Sequence, residues 1–199
     1  GIIRLIIEKK LPINLNKLID DFIDKNDSAR VNLTNYLYER LFNYLKDLGY
    51  SNEIVDALVS SRPEKIHDIL ERSKAISEFL KLKESETLSS ANKRVSNILK
   101  KADKISINPV DKKLLIEDEE IILHKVLLDL EPKINQSLVK NDFVSALKNL
   151  VILNAPINNF FEKVMVNTDD SKIKINRYGL LFKLRQNLNC VADISKLAS

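Results

Sequence analysis

Apolar residues along this chain recur every three or four positions, and no stretch alternates convincingly with period two. The segment 1–26 reads as a helix end, a break at Pro12 and a second helix striped by Leu15, Leu18, Ile19, Phe22 and Ile23. A polar break, "DKNDSA" (24–29), separates it from a helix with Leu33, Leu37, Leu41, Tyr44, Leu45 and Leu48 on one face. Gly49 suits its C-terminal cap, and Ser51 caps a short helix carrying Ile54, Val55 and Leu58. Pro63 suits the first turn of the next helix, which carries Ile66, Ile69, Leu70, Ile76, Phe79 and Leu80. Further helices are expected from about 86 to 102, from Glu117 with a kink or restart at Pro132, after Asp142, from Pro156 into "INNFFEKVMV", and from Ser171 through Val191. A loop, "DKISINPVDKKLL" (103–115), divides the series. The expected fold class is all-α, an antiparallel helical bundle with short connections.

Composition supports this pattern and narrows the function. Of 199 residues 44% are apolar, enough for a sizeable core, while Gly (three) and Pro (five) are too scarce for a turn-rich β-fold. The single cysteine, Cys190, excludes an internal disulfide or a multi-cysteine zinc site, and a reducing, cytoplasmic setting follows as the simplest expectation. No apolar run approaches bilayer length. The abrupt start without Met reads as the edge of a longer protein, with 1–26 the end of a preceding helical domain and 27–199 the main one.

Catalytic chemistry finds little support. His67-Asp68 has the residue order of the dyad in HD phosphohydrolases, but a metal needs several converging ligands, and His124 sits in an apolar run without a partner nearby. Cys190 lies among Leu188, Val191 and Ile194, where a buried small hydrophobe is expected. No Gly-rich phosphate loop occurs. No catalytic residue, metal ligand or cofactor is expected on this chain.

Charge distribution says more than the net +4. In "SSANKRVSNILKKADK" (89–104), Ala91, Val95, Ile98, Leu99 and Ala102 form one stripe, with Leu88 just before it. Lys93, Asn97, Lys100 and Lys104 occupy the opposite face, and Asn92 and Arg94 flank the stripe. No acid shares that outward face to neutralise it. The last helix is similar: Lys172, Lys174, Arg177, Lys183, Arg185 and Lys196 face only Asp193. Two such faces suit a polynucleotide better than a membrane, because the apolar faces are needed for the core. Lysine-rich helix faces are nevertheless more often merely solvated. Phe160, Phe161, Tyr178 and Phe182 lie near the second cluster and could stack bases, although Phe160 and Met165 sit where core packing is expected.

Several separated motifs resemble one family in order. "ANKRVSNILKK" (91–101), "FFEKVMVNTDD" (160–170) and "NRYGLLFKLRQNLNCVADISKL" (176–197) resemble the C-terminal region of the bacterial glycyl-tRNA synthetase beta-subunit family. "GIIRLIIEKKLPINL" (1–15) and "RLFNYLKDLGYSNEIVDALVSSRP" (40–63) fit the same family, so the resemblance spans essentially the whole chain. One departure is Glu162, where the family has Asp. The middle motif alone also resembles the helical anticodon-binding domains of arginyl-tRNA synthetases.

The resemblance implies a class I-type (DALR-like) anticodon-binding bundle within an enzyme of two alpha and two beta subunits. It implies tRNA-Gly and the alpha subunit as partners, and ATP with Mg as used by the whole enzyme, with aminoacylation done at the alpha subunit's site. Lys93, Lys100 and Lys104 would then attract phosphates, and Asn92, Arg94 and Asn97 would read base edges. Arg177, Lys183 and Arg185 would hold the other side of the loop. A helical protein-interaction module, its lysines only solubilising, is the competing expectation.

Overall fold

The computed structural model describes residues 1–24, 28–101 and 108–198. Among the described residues all regular elements are helical, and the one ladder-type contact is an isolated antiparallel bridge between Asn14 and Lys65. The helices are α1 (Ile2–Glu8), α2 (Leu15–Asp20), α3 (Ser28–Asp47), α4 (Asn52–Ser60), α5 (Ile69–Phe79) and α6 (Ser85–Lys101). After the loop come α7 (Asp118–Val139), α8 (Phe143–Asn149), α9 (Asn154–Lys163) and α10 (Ser171–Leu188). Short 3₁₀ turns cover Lys112–Leu114, Leu150–Leu153 and Ile194–Leu197.

Local chemistry sets most of these ends. Side chains of Asn14, Ser51, Asp142 and Asp170 each accept a backbone N–H from the first turn of the helix that follows. Gly49 closes α3 at φ 89°, in the left-handed region where a side chain would be strained. Pro132 is accommodated inside an unbroken α7, without the restart its position suggested.

α2 ends at Asp20 and leaves Phe22, expected on its apolar stripe, exposed beyond the helix. Three other boundaries differ from the periodicity, each with a tertiary cause. The helix expected at Pro63 begins only at Ile69. The Leu15 N–H donates to the Glu64 carbonyl at 2.7 Å, which holds this stretch extended against Asn14. α9 stops at Lys163, where Val164 turns extended, and Val164 and Val166 are buried while Met165 is exposed. Met165 is therefore not the core residue expected. α10 ends at Leu188, and Asp193 then caps the closing 3₁₀ turn by accepting from the Ser195 N–H while donating its own N–H to the Ala57 carbonyl in α4.

One connected core runs from Ile3 to Leu197. α7 packs against α8, α9 and α10, α5 against α8, and α6 against α10 and the last 3₁₀ turn. α1 and α2 pack on α3 and give Ile3, Ile6, Ile7, Leu15 and Ile19 to the same core. The expected boundary between 26 and 27 lies among residues 25–27, outside the described residues. Each fully buried Leu, such as Leu41, Leu88, Leu123 or Leu184, contributes roughly 1.5–3 kcal/mol through removal of apolar area from water.

The four residues "NRYG" at 176–179 fasten α10 to three other stretches. Asn176 accepts from the Asp111 N–H and donates to the Asp111 carbonyl, at 2.8 and 3.0 Å. The Tyr178 hydroxyl donates to Asn167 at 2.7 Å. A Cβ at Gly179 would collide with the Asn108 carbonyl oxygen, so only glycine lets the 108–111 backbone lie against the helix. Arg177 is 3% exposed and its guanidinium forks onto Glu120, which is fully buried (Nε to Oε1 2.8 Å, Nη2 to Oε2 3.2 Å). Its remaining Nη1 donates to the Met165 carbonyl at 2.6 Å. Glu120 Oε2 also accepts the backbone N–H groups of Ile116 and Glu117, so the buried carboxylate is fully satisfied. Arg177 is thus part of the interior and not of an RNA-facing surface.

Arg72 does similar work elsewhere. It chelates Asp68 with two 3.0 Å bonds, donates to the Val191 carbonyl and lies 4.4 Å above the Phe143 ring centroid. Asp68 of the HD-like dyad therefore serves the fold. Burial pushes the Cys190 thiol up to about 12, so it stays protonated and unreactive at neutral pH.

Breaking the Arg177–Glu120 pair from one side strands a buried charge. Glu120→Gln should lower unfolding stability by on the order of 3–5 kcal/mol, read from urea melts. The double variant Glu120→Gln/Arg177→Met should be more stable than Glu120→Gln alone, because no guanidinium is left unpaired. A second expectation concerns pH. Burial, reinforced by the charges of Lys183 and Lys112, lowers the His124 pKa below the usual 6.5. The unfolded chain then gains a proton before the folded one as pH falls, so stability is full above about 6.5 and declines beneath it. His124→Leu should flatten the fall in Tm between about pH 7 and 5.5, above the range where carboxylates ordinarily protonate.

Candidate nucleic-acid interface

α6 carries two chemistries on its two sides. Leu88, Val95 and Leu99 enter the core, and Ser90, Lys93, Arg94, Asn97, Lys100 and Lys101 remain exposed. Ser89, Asn92 and Ser96 fall on the buried side with them. Asn92 is fully buried and donates from Nδ2 to Asn189 Oδ1 at 2.7 Å. It joins α6 to the end of α10 and does not face solvent, contrary to the expectation that it reads a base. Helical spacing alone put it at the edge of the apolar stripe; the segment 189–197 folding back over α6 is what covers it.

Arg94 stands at the centre of the exposed side. Its guanidinium lies 4.1 Å from the Phe161 ring centroid, and Phe161 in turn meets the buried Phe160 edge-on at 5.4 Å. A cation placed over a ring keeps its charge and its in-plane N–H donors, which an ion pair would consume. Among the described residues Arg94 has no ion pair.

Two depressions meet at this side chain. One, of about 350 Å³, is lined by Lys93, Arg94, Asn97 and Lys101 of α6 with Asn167 and Tyr178 across from them. The other, of about 330 Å³, lies between Thr87, Ser90, Ala91 and Arg94 of α6 and Asn158, Phe161 and Glu162 of α9. The α6 residues follow i, i+3, i+4 and i+7, which places them along one strip of the helix surface. The structure therefore brings Lys93, Arg94 and Asn97 together, with Lys100 exposed beside them. Lys104 lies outside the described residues.

The second expected cluster does not assemble. Arg177 is buried on Glu120, and Lys183 is held by Glu131 at 2.8 Å. Arg185, half-buried, is left two turns beyond Tyr178 on the same side of α10. The interface gains members not singled out from the sequence, Lys101, Asn167 and Asn158, and the ring of Phe161, named as a possible base-stacking partner, supports Arg94 instead. Lys101 was legible as i+7 from Arg94, but which residues of α9 and the 164–170 turn face α6 was not. Among the described residues no group of three or more His, Cys, Asp or Glu could hold a metal ion. No helix among them is long and apolar enough to cross a membrane.

Asn92→Ala should cost about 1–2 kcal/mol by leaving the Asn189 amide oxygen without its donor, measured as a lower urea midpoint. RNA affinity well below the melting temperature should stay within about twofold, since Asn92 does not reach the surface.

Comparison with known proteins agrees with this arrangement. Residues 88–194, more than half of the chain, match the model of the DALR anticodon binding domain. That match begins in α6 and ends in the closing 3₁₀ turn, and so contains the lining of both depressions except Thr87. Over its full length the chain is 42% identical to a glycine–tRNA ligase beta subunit of Ralstonia nicotianae. It is 39% identical to that of Delftia acidovorans and 38% to that of Methylobacillus flagellatus. In each case it spans about 29% of the relative's length. With a helical bundle and a matching model over more than half of its residues, the chain belongs to the DALR anticodon binding domain family.

Proposed function

We propose that this chain binds the anticodon loop of a tRNA, tRNA-Gly by its likeness to glycine–tRNA ligase beta subunits. It would do so as part of a two-alpha, two-beta enzyme whose alpha subunit attaches glycine with ATP. The observation that carries this reading is Arg94 lying over Phe161 between two polar depressions, an uncompensated cation with its donors free. An anticodon loop offers closely spaced phosphates and unpaired bases whose edges are open to hydrogen bonding. Lys93, Lys100 and Lys101 supply charge for the phosphates, and Asn97 and Asn167 supply amides for base edges. Residues 1–26 would be the end of a preceding helical domain, and the main domain would follow from 27.

The competing reading, a protein-interaction module, draws support from a separate groove. About 620 Å³ lies between α1 and α3, lined by Ile2, Tyr36, Leu37 and Leu48, with Arg40 4.9 Å from the Tyr36 ring centroid. That groove suits contact with another part of a synthetase and does not compete with RNA at α6.

Binding of tRNA-Gly, measured at several salt concentrations, separates the two. Changed anticodon bases should weaken binding at constant salt, whereas attraction to phosphates alone would ignore the bases and show only a steep salt slope. Arg94→Ala should weaken tRNA-Gly binding by about tenfold, on the scale of one lost polar base contact. Its Tm should change little, because an exposed cation–π contact contributes only about 0.5–1 kcal/mol. Arg94→Lys should not restore binding, since a point charge lacks the planar fork. Equal, negligible affinity for all tRNAs would leave the protein-interaction reading.

A further inference from the structure

The two depressions at Arg94 differ in charge, and the difference assigns them different parts of a nucleotide. The one lined by Lys93, Arg94 and Lys101 contains no acid and attracts phosphate. The one between α6 and α9 contains Arg94 and Glu162, and the carboxylate repels phosphate at close range. Asn158, Phe161 and Glu162 follow i, i+3 and i+4 on α9, so the amide, ring and acid line one wall of this second depression.

Glu162 is exposed, and among the described residues it makes no hydrogen bond or ion pair. Its neighbour Lys163 turns away to Glu119 on α7, at 2.6 Å, and Arg94 is held by the ring. A carboxylate beside two cations that both bind elsewhere keeps its acceptor oxygens open. An ionised carboxylate only accepts hydrogen bonds, and a guanidinium only donates them. Between them they complement a base edge that has both an amino group and a carbonyl.

We infer that the depression between α6 and α9 takes one unpaired cytosine or guanine, Glu162 accepting from the exocyclic amine and Arg94 donating to the ring carbonyl. Asn158 is placed to bond the same edge, and the neighbouring phosphate lies over Lys93 and Lys101. Uracil has carbonyls but no amine, so it would set an oxygen against the Glu162 carboxylate. Adenine has the amine but no carbonyl for Arg94. Glu162 is thus a specificity-determining residue, an inference that rests on the anticodon-loop reading above.

The test uses the full-length protein and RNA hairpins with the tRNA-Gly anticodon loop, in which each loop cytosine is changed to uracil and each loop guanine to inosine. Inosine lacks the 2-amino group, so the two series tell which base is read. At one loop position the wild type should lose about tenfold in affinity, the scale of one base-edge contact. For a cytosine–uracil pair, Glu162→Gln should bind both members within about threefold, because an amide can either accept from an amine or donate to a carbonyl. For a guanine–inosine pair, Glu162→Ala should do so, because no acceptor remains for the 2-amino group. Glu162→Asp should keep the preference. The affinity ratio is the readout, since removing a negative charge raises affinity for every hairpin alike. Unchanged ratios in Glu162→Gln for a cytosine–uracil pair, or in Glu162→Ala for a guanine–inosine pair, with hairpins still bound, would overturn the assignment of Glu162 and leave RNA binding standing. Failure of the wild type to bind any hairpin would overturn both.

Discussion

The buried pair between Arg177 and Glu120 is the constraint on which the second half of the fold turns. Its cost is desolvation of two charges, and its compensation is geometric: two guanidinium–carboxylate bonds, one bond to the Met165 carbonyl, and two backbone N–H groups on Glu120. Through these bonds α10, the start of α7 and the extended stretch after α9 become a single unit. The flanking contacts of Asn176, Tyr178 and Gly179 extend the unit to the 108–111 loop and to Asn167. A change in where α10 sits would therefore move both walls that face α6.

That placement explains how the interface keeps its charge. Two cations of α10 are drawn inward or paired, Arg177 to Glu120 and Lys183 to Glu131, while those of α6 are exposed, and that helix's acid, Glu86, sits in its first turn. Phe161 supports Arg94 from α9, and the buried Phe160 backs Phe161. The support is apolar, so the guanidinium is oriented without being neutralised. A flexible lysine-rich face becomes a shaped surface because one of its cations has a fixed position.

The region matching the DALR anticodon binding domain starts at residue 88, yet the core does not begin there. α4 receives the closing turn through the Ala57 carbonyl, and Arg72 of α5 holds the Val191 carbonyl and the Phe143 ring. The helices before the matched region thus brace its far end. Asp193 in "VADIS" serves this bracing.

The all-α class, most helix ends and the exposed basic side of α6 were legible in the sequence, because caps, Gly49 and a 3.6-residue period are local causes. Lys93, Arg94, Asn97 and Lys100 follow from that period alone. The role of a polar residue at the margin of a stripe was not legible. Asn92 and Arg94 flank the same stripe with similar polarity, yet one is covered by residues 189–197 and the other rests on a ring of α9. Arg177 looked like one more surface cation until a carboxylate 57 positions earlier proved to be its partner. Periodicity describes how a helix is divided into faces. Which face meets solvent at its margins, and which charge finds an opposite one, is decided by contacts between residues far apart in the chain.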